Sequence, residues 1–135
     1  MDVEAQKVDA ARWVRVMDFP SVDAALGEFF AGERERVVSE FESGQAQAFA
    51  ASGPGYGGLI LLRFERRLVD GALQCHVITA RGEGTLIAMA DLSRIARQAG
   101  AVAITSDASD ASVIRMYARA GWEVESCRLR LELEP

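Results

Sequence analysis

RGEGTLIAMADLSRIARQAGAVAITSDASDASVIRMYARAGW, residues 81–122, is the stretch whose reading decides the fold. It opens on Arg81-Gly82-Glu83-Gly84 and passes directly into apolar residues at spacings of three and four: Ala88, Met89, Leu92, Ile95, Ala96 and Ala99. Asp91, Arg94, Arg97 and Gln98 take the other side, so the spacing predicts an amphipathic helix over residues 85–98. The many alanines on its apolar stripe predict close packing against a sheet. Gly100 stands where a left-handed helix stop is expected. Residues 101–105 are short and apolar, as a buried strand is. Residues 106–109 read as an acidic turn, and residues 110–120 as a second helix closed by Gly121-Trp122. A strand before the glycines, a crossover helix and a strand after it form a right-handed βαβ unit if the two strands are parallel neighbours.

The glycine segment has two readings. Amide groups at a helix start lack partners inside the helix and carry partial positive charge, which suits a phosphate. Gly82 and Gly84 allow close backbone approach to such a ligand, and Arg81 adds a charge-assisted contact. The same glycines also suit a tight turn from strand to helix.

The order of strand, Arg81-Gly82-Glu83-Gly84, helix, strand and acidic turn, followed by Val113-Ile114-Arg115-Met116-Tyr117 and Gly121-Trp122, resembles the GCN5-related N-acetyltransferases (GNAT). That family often ends its core with isoleucine, a tyrosine three residues on, and a glycine-aromatic pair, here Ile114, Tyr117, Gly121 and Trp122. Its pyrophosphate motif has three fixed positions, held here by Arg81, Gly84 and Leu86. The first two match, and Leu86 stands where the family has glycine or alanine. Asp110 stands where asparagine is frequent. The resemblance covers the C-terminal half. It implies an α/β (α+β) fold, a mixed, mostly antiparallel twisted sheet flanked by helices. It also implies binding of acetyl-CoA by the strand end Val77-Ile78-Thr79, by Arg81, Gly82, Glu83, Gly84, Thr85 and Leu86, and by position 110, Asp110.

The bounds are those of an ordinary globular chain. The 135 residues fit one domain, residues 1–135, and can bury a core without staples. Cys75 and Cys127 are far apart and read as reduced thiols of a cytoplasmic protein. With one histidine beside them, a zinc site is not expected. A net charge of −5 argues against a broad nucleic-acid face. No apolar run reaches membrane-spanning length, and the amino end lacks a signal-peptide pattern.

Residues 1–18 read as helical, although Trp13-Val14-Arg15-Val16-Met17 also suits a strand. Phe19-Pro20 breaks that pattern, and Ser21 is the expected N-cap of a second helix with Leu26, Phe29 and Phe30 on its apolar side. Residues 33–42 form a third helix, burying Val37, Val38 and Phe41 and stopping at Gly44. Residues 45–51 are the expected first strand, and residues 52–58 a glycine-rich turn. Residues 59–68 form a strand with Ile60, Leu62, Phe64 and Leu68 on one face and Leu61, Arg63 and Glu65 on the other. Asp70-Gly71 signals a hairpin into a return strand, residues 73–79. Residues 122–134 alternate as one long strand, bent near Ser126-Cys127, whose edge offers pairing across a homodimer.

The resemblance assigns the chemistry. Direct acetyl transfer to an amine needs a proton removed from the amine and one given to the departing thiolate. Tyr117 is the family's general acid by position, and a buried core tyrosine is the plainer reading. His76 has the pKa range of a base, and Glu65 is the other candidate. Cys75 points away from His76, since adjacent strand residues face opposite sides. The acceptor, a small molecule or a protein amine, is not legible, though an acidic chain steers cations. Two classes stay open: an N-acetyltransferase, and a binding or structural module that keeps the fold without the cofactor, as the departures at Leu86 and Asp110 suggest.

Overall fold

The computed structural model describes residues 11–107, 111–125 and 128–134. Strand β1 is Arg12–Val16, followed by helix α1, Phe19–Leu26, and two short 3₁₀ turns. Helix α2, Arg34–Ser43, precedes β2, Ala46–Gly53, β3, Tyr56–Arg66, and β4, Leu73–Glu83. Then come α3, Thr85–Gln98, β5, Ala103–Asp107, α4, Ala111–Arg119, β6, Glu123–Glu125, and β7, Arg128–Glu132. The strands form one sheet in the order β1-β2-β3-β4-β5-β7-β6. Among the described residues only β4 and β5 pair in parallel, with α3 as their crossover, so the expected βαβ unit is present. The other neighbours are antiparallel.

Each face of the sheet has its own core. Ala88, Met89, Leu92 and Ala96 of α3 and Tyr117 of α4 pack on Ile60, Leu62, Cys75, Val77 and Ile104. Val22 and Leu26 of α1, Phe30 between the two 3₁₀ turns and Val37 of α2 pack on Ala46, Ala48 and Leu61 from the other side. Leu61 and Leu62, adjacent on β3, are both fully buried because helices cover both faces.

Several local expectations are corrected. The helix expected over residues 1–18 is a strand over Arg12–Val16, and residues 1–10 lie outside the described ones. Pairing with β2 along its whole length outweighs the helical spacing there. Phe19-Pro20 starts a helix rather than breaking one. Proline sits in the first turn, where its missing N–H has no helical partner to lose. The cap is Asp18, not Ser21: the Ser21 amide donates to Asp18 Oδ1 at 2.9 Å and the Ser21 hydroxyl to Oδ2 at 2.7 Å.

The glycine-rich turn is shorter than expected, because Tyr56, Gly57 and Gly58 belong to β3. Leu68 lies beyond β3, fully exposed in the hairpin turn rather than inward. β5 runs two residues later than expected, so Ser106 and Asp107 are strand and not turn. The single long strand over residues 122–134 is instead the hairpin β6–β7. β7 inserts beside β5 and buries Leu129. Ser126 and Cys127, the expected bend, lie outside the described residues.

Candidate functional site

Strand β4 carries the geometry of the site. Leu61 of β3 stands opposite Thr79 while its neighbour Leu62 stands opposite Val77, so Ile78 is an extra residue in β4. Such a bulge bends its strand and adds local twist. On its other side β4 pairs with β5 only from Gln74 to Val77. Past the bulge β4 continues to Glu83 beside β3 alone among the described residues, while β5 ends at Asp107. The two parallel strands therefore part at the bulge.

The glycine segment at the end of β4 is not a loop. Arg81, Gly82 and Glu83 are strand residues opposite Leu59, Gly58 and Gly57. A side chain on Gly58 would run into the carbonyl of Arg81, and one on Gly82 into the carbonyl of Gly57. These glycines let two backbones touch. Gly84, at φ 67, alone turns the chain from strand into α3 as its N-cap. Its carbonyl accepts the Ala88 amide at 3.0 Å. No side chain caps this helix, and the amides of its first turn have no partners within it.

A cavity of about 610 Å³ opens between that helix start and α4, lined by Gly84, Leu86, Ile87, Val113, Met116 and Tyr117. A smaller hollow of about 170 Å³ shares Leu86 with it and runs between α3 and Trp122. Tyr117 is buried with its ring edge-on to Trp122, centroids 5.0 Å apart. Burial raises the pKa of its phenol, which stays protonated at neutral pH. Leu86, the departure from the motif, packs half-buried against the α3 core and forms a wall of this cavity.

The structure thus brings Gly84, Leu86 and Tyr117 together and leaves other expected residues apart. The Arg81 side chain turns away to the α1 end, within 3.3 Å of the Ala25 carbonyl and 3.4 Å of Glu28. Val77 and Ile78 sit in opposite cores, at the parting of the strands. Thr79 stands one residue past the bulge. Glu83 ends β4, exposed, and Thr85 opens α3. Glu65 lies towards the far end of β3, hydrogen-bonded by Gln74 at 3.1 Å. It stands eight steps along the strand from Gly57, about 27 Å at 3.3–3.4 Å per residue. Asp110 lies outside the described residues.

His76 occupies the face opposite the cavity and is only 4% exposed. Its Nδ1 lies 2.7 Å from the hydroxyl of Thr105, its register partner on β5, and its Nε2 lies 3.6 Å from a carboxylate oxygen of Asp107. Cys75 does face the other way, into the α3 core, where burial pushes its thiol up to about 12. Beside His76 on β3, Arg63 is buried against Glu40 of α2, its Nε 2.8 Å from each carboxylate oxygen. Sequence reasoning missed Thr105, Asp107, Arg63 and Glu40 as a polar stripe. The two-residue spacing of Thr105 and Asp107 puts them on one strand face, but their register with His76 is set by the parallel pairing alone. Among the described residues, no three His, Cys, Asp or Glu side chains cluster as metal ligands, and no helix is long and apolar enough to cross a membrane.

No family model and no curated protein matches this sequence. Solved structures match its fold. A protein from Desulfovibrio desulfuricans assigned to the GNAT family of acetyltransferases aligns with a TM-score of 0.63 at 13% identity, over 93% of this chain and 100% of that one. An aminoglycoside acetyltransferase from an uncultured soil metagenomic sample gives 0.59 at 13% identity, over 93% and 97%. A chain of the KacTA–DNA complex gives 0.56 at 15% identity, over 90% and 92%. At these identities the likeness is one of fold, and the fold of this chain is the GNAT fold.

Proposed function

We propose that the protein is an acyl-CoA-dependent N-acetyltransferase that passes an acetyl group directly to an amine. One observation carries this reading: the cavity at the uncapped start of α3 also holds Tyr117 and lies where α3 leaves the parted end of β4. Its volume of about 610 Å³ falls within the range of small-molecule sites. The first-turn amides of α3 suit a pyrophosphate, and Leu86, Ile87, Val113 and Met116 suit the apolar parts of a pantetheine arm. Bound there, acetyl-CoA supplies an acetyl group activated as a thioester. The buried phenol of Tyr117 keeps its proton at neutral pH and is the group to protonate a departing thiolate. Relatives in fold whose names state acetyl transfer support the same reading.

A second reading, a module with this fold and no cofactor, is favoured by the diversion of Arg81 to Ala25 and Glu28 and by the use of Gly58 and Gly82 for backbone contact. The motif residues then have structural reasons of their own. A chain of this fold occurs in a complex with DNA, so the fold leaves nucleic-acid partners open, and only the net charge of −5 speaks against them.

Calorimetry with acetyl-CoA separates the two, provided that the control variant folds. Gly84 is a poor site for it, since any side chain there meets the Gly55 backbone. Ile87 is better: it lines the cavity, is 55% exposed and sits in the first turn, where a carboxylate suits the helix. Ile87→Glu is expected to keep the wild-type melting temperature and weaken acetyl-CoA about tenfold or more, at least 1.4 kcal/mol. Absence of binding to folded wild type at millimolar acetyl-CoA would sink the acetyltransferase reading in favour of the module.

A further inference from the structure

We propose that Asp107 docks and deprotonates a cationic primary amine, and that His76, clamped by Thr105, positions it. This rests on the acetyltransferase reading above. The cavity with Tyr117 lies on the α3/α4 side of the sheet. A nucleophile reaching a thioester held at the parting of β4 and β5 must come from the side the donor does not fill, that of α1 and α2. Thr105 bonds His76 on that side, and Asp107, two residues further along β5, faces the same way. Asp107 closes β5 at the parting, with its side chain 62% exposed. It is therefore the carboxylate at the mouth, with Arg128 as its backbone partner on β7.

The groups behind it form an ordered chain. Thr105 is fully buried and His76 nearly so. A carboxylate facing Nε2 favours the tautomer that carries its proton there, and Nδ1 then accepts from the Thr105 hydroxyl. In that state the buried ring has no basic nitrogen open to a substrate. It acts through Asp107, by holding that carboxylate at the strand end. Asp107 takes one proton from the ammonium and, from its exposed side, releases it to solvent; the neutral amine then attacks the thioester carbonyl. As the N–C bond forms and the C–S bond breaks, Tyr117 gives its proton to sulfur. Asp107 takes the second proton shed by nitrogen. Both acids re-equilibrate with solvent, and the net yield is an amide, a thiol and one proton.

His76 is the only histidine in the chain, so its ring nitrogens are a site-specific probe. Ring ¹⁵N NMR would be recorded on wild type and Asp107→Asn during titration with 1,4-diaminobutane and, separately, with uncharged 1,4-butanediol. The expected result is a saturable shift with the diamine only, lost in Asp107→Asn while acetyl-CoA affinity is unchanged. With turnover, the same variant is expected to raise KM for the diamine about tenfold or more and to lower kcat by about a hundredfold or more; an unchanged kcat would overturn the deprotonating role. A silent ring, equal shifts with both probes, or a shift retained in Asp107→Asn would overturn the role of Asp107 while leaving cofactor binding standing. Failure of wild type to bind acetyl-CoA would overturn both readings together.

Discussion

On the side of α3 and α4 the sheet presents Ile60, Leu62, Cys75, Val77 and Ile104, and among the described residues nothing charged is buried there. On the side of α1 and α2 it presents an apolar patch around Leu61 and, beside it, Arg63, His76 and Thr105 in register across three strands. Apolar contacts are non-directional, so helices can stand apart on the first side and leave a cavity without orphaning a polar group. Buried polar contacts are directional and hold their members in one geometry. An apolar cavity and a set of fixed polar groups thus occupy opposite sides of one sheet.

The largest expected effect tests the polar side. Arg63→Met leaves Glu40 buried with only the more distant Arg36, 3.6 Å away. Breaking a buried pair in this way is expected to cost about 3–5 kcal/mol in urea unfolding. The double variant Arg63→Met/Glu40→Leu is expected to recover most of that loss, because it leaves no uncompensated charge. Equal losses in the single and double variants would show that packing volume, not charge, decides this face. On the apolar side, Leu92→Ala removes a fully buried α3 side chain and is expected to cost about 3 kcal/mol, within the usual range for leucine truncation. No second substitution of a neighbour restores it unless volume is restored.

The smallest effect lies on the outer surface of α1. Hydrogen bonds from Ser21 hold the Asp18 carboxyl below its ordinary value of 3.8, and those from Arg34 do the same for Asp23. Depressed folded-state values mean that the stabilisation is present above pH 3.8 and fades as acid titrates the folded carboxylates below it. Thermal melts between pH 5 and about pH 2.5 are expected to fall gently, and less in Asp18→Asn, which has no carboxylate there to protonate.

Helix α3 was legible to its last residue, because periodicity, glycine stop and neighbouring strands are local signals and agree. The crossover it makes was expected only on the condition that β4 and β5 are parallel neighbours, and the pairing meets that condition. Strand β1 was less legible: Val8, Ala11 and Val14 satisfy helical spacing, and only the partner strand β2 decides between the two conformations. The helical position of Tyr117 was legible because the apolar spacing around it is local. The partners of His76 were not, since they depend on which residues of a strand nearly thirty positions away stand beside it. Gly82 shows the reverse error. A glycine that suits a phosphate also suits a neighbouring backbone, and the residue type does not distinguish the two.

The bulge at Ile78 gives the opening between β4 and β5 an unusual economy. Without that residue, Val77 and Thr79 would meet Leu62 and Leu61 one to one, and nothing in the register would bend β4 at the level where β5 leaves it. The difference between a closed sheet and one with a mouth amounts to one codon. A lineage carrying this scaffold can change the bend of β4 at that level by a single in-frame insertion or deletion, at the expense of one side chain in the α1/α2 core.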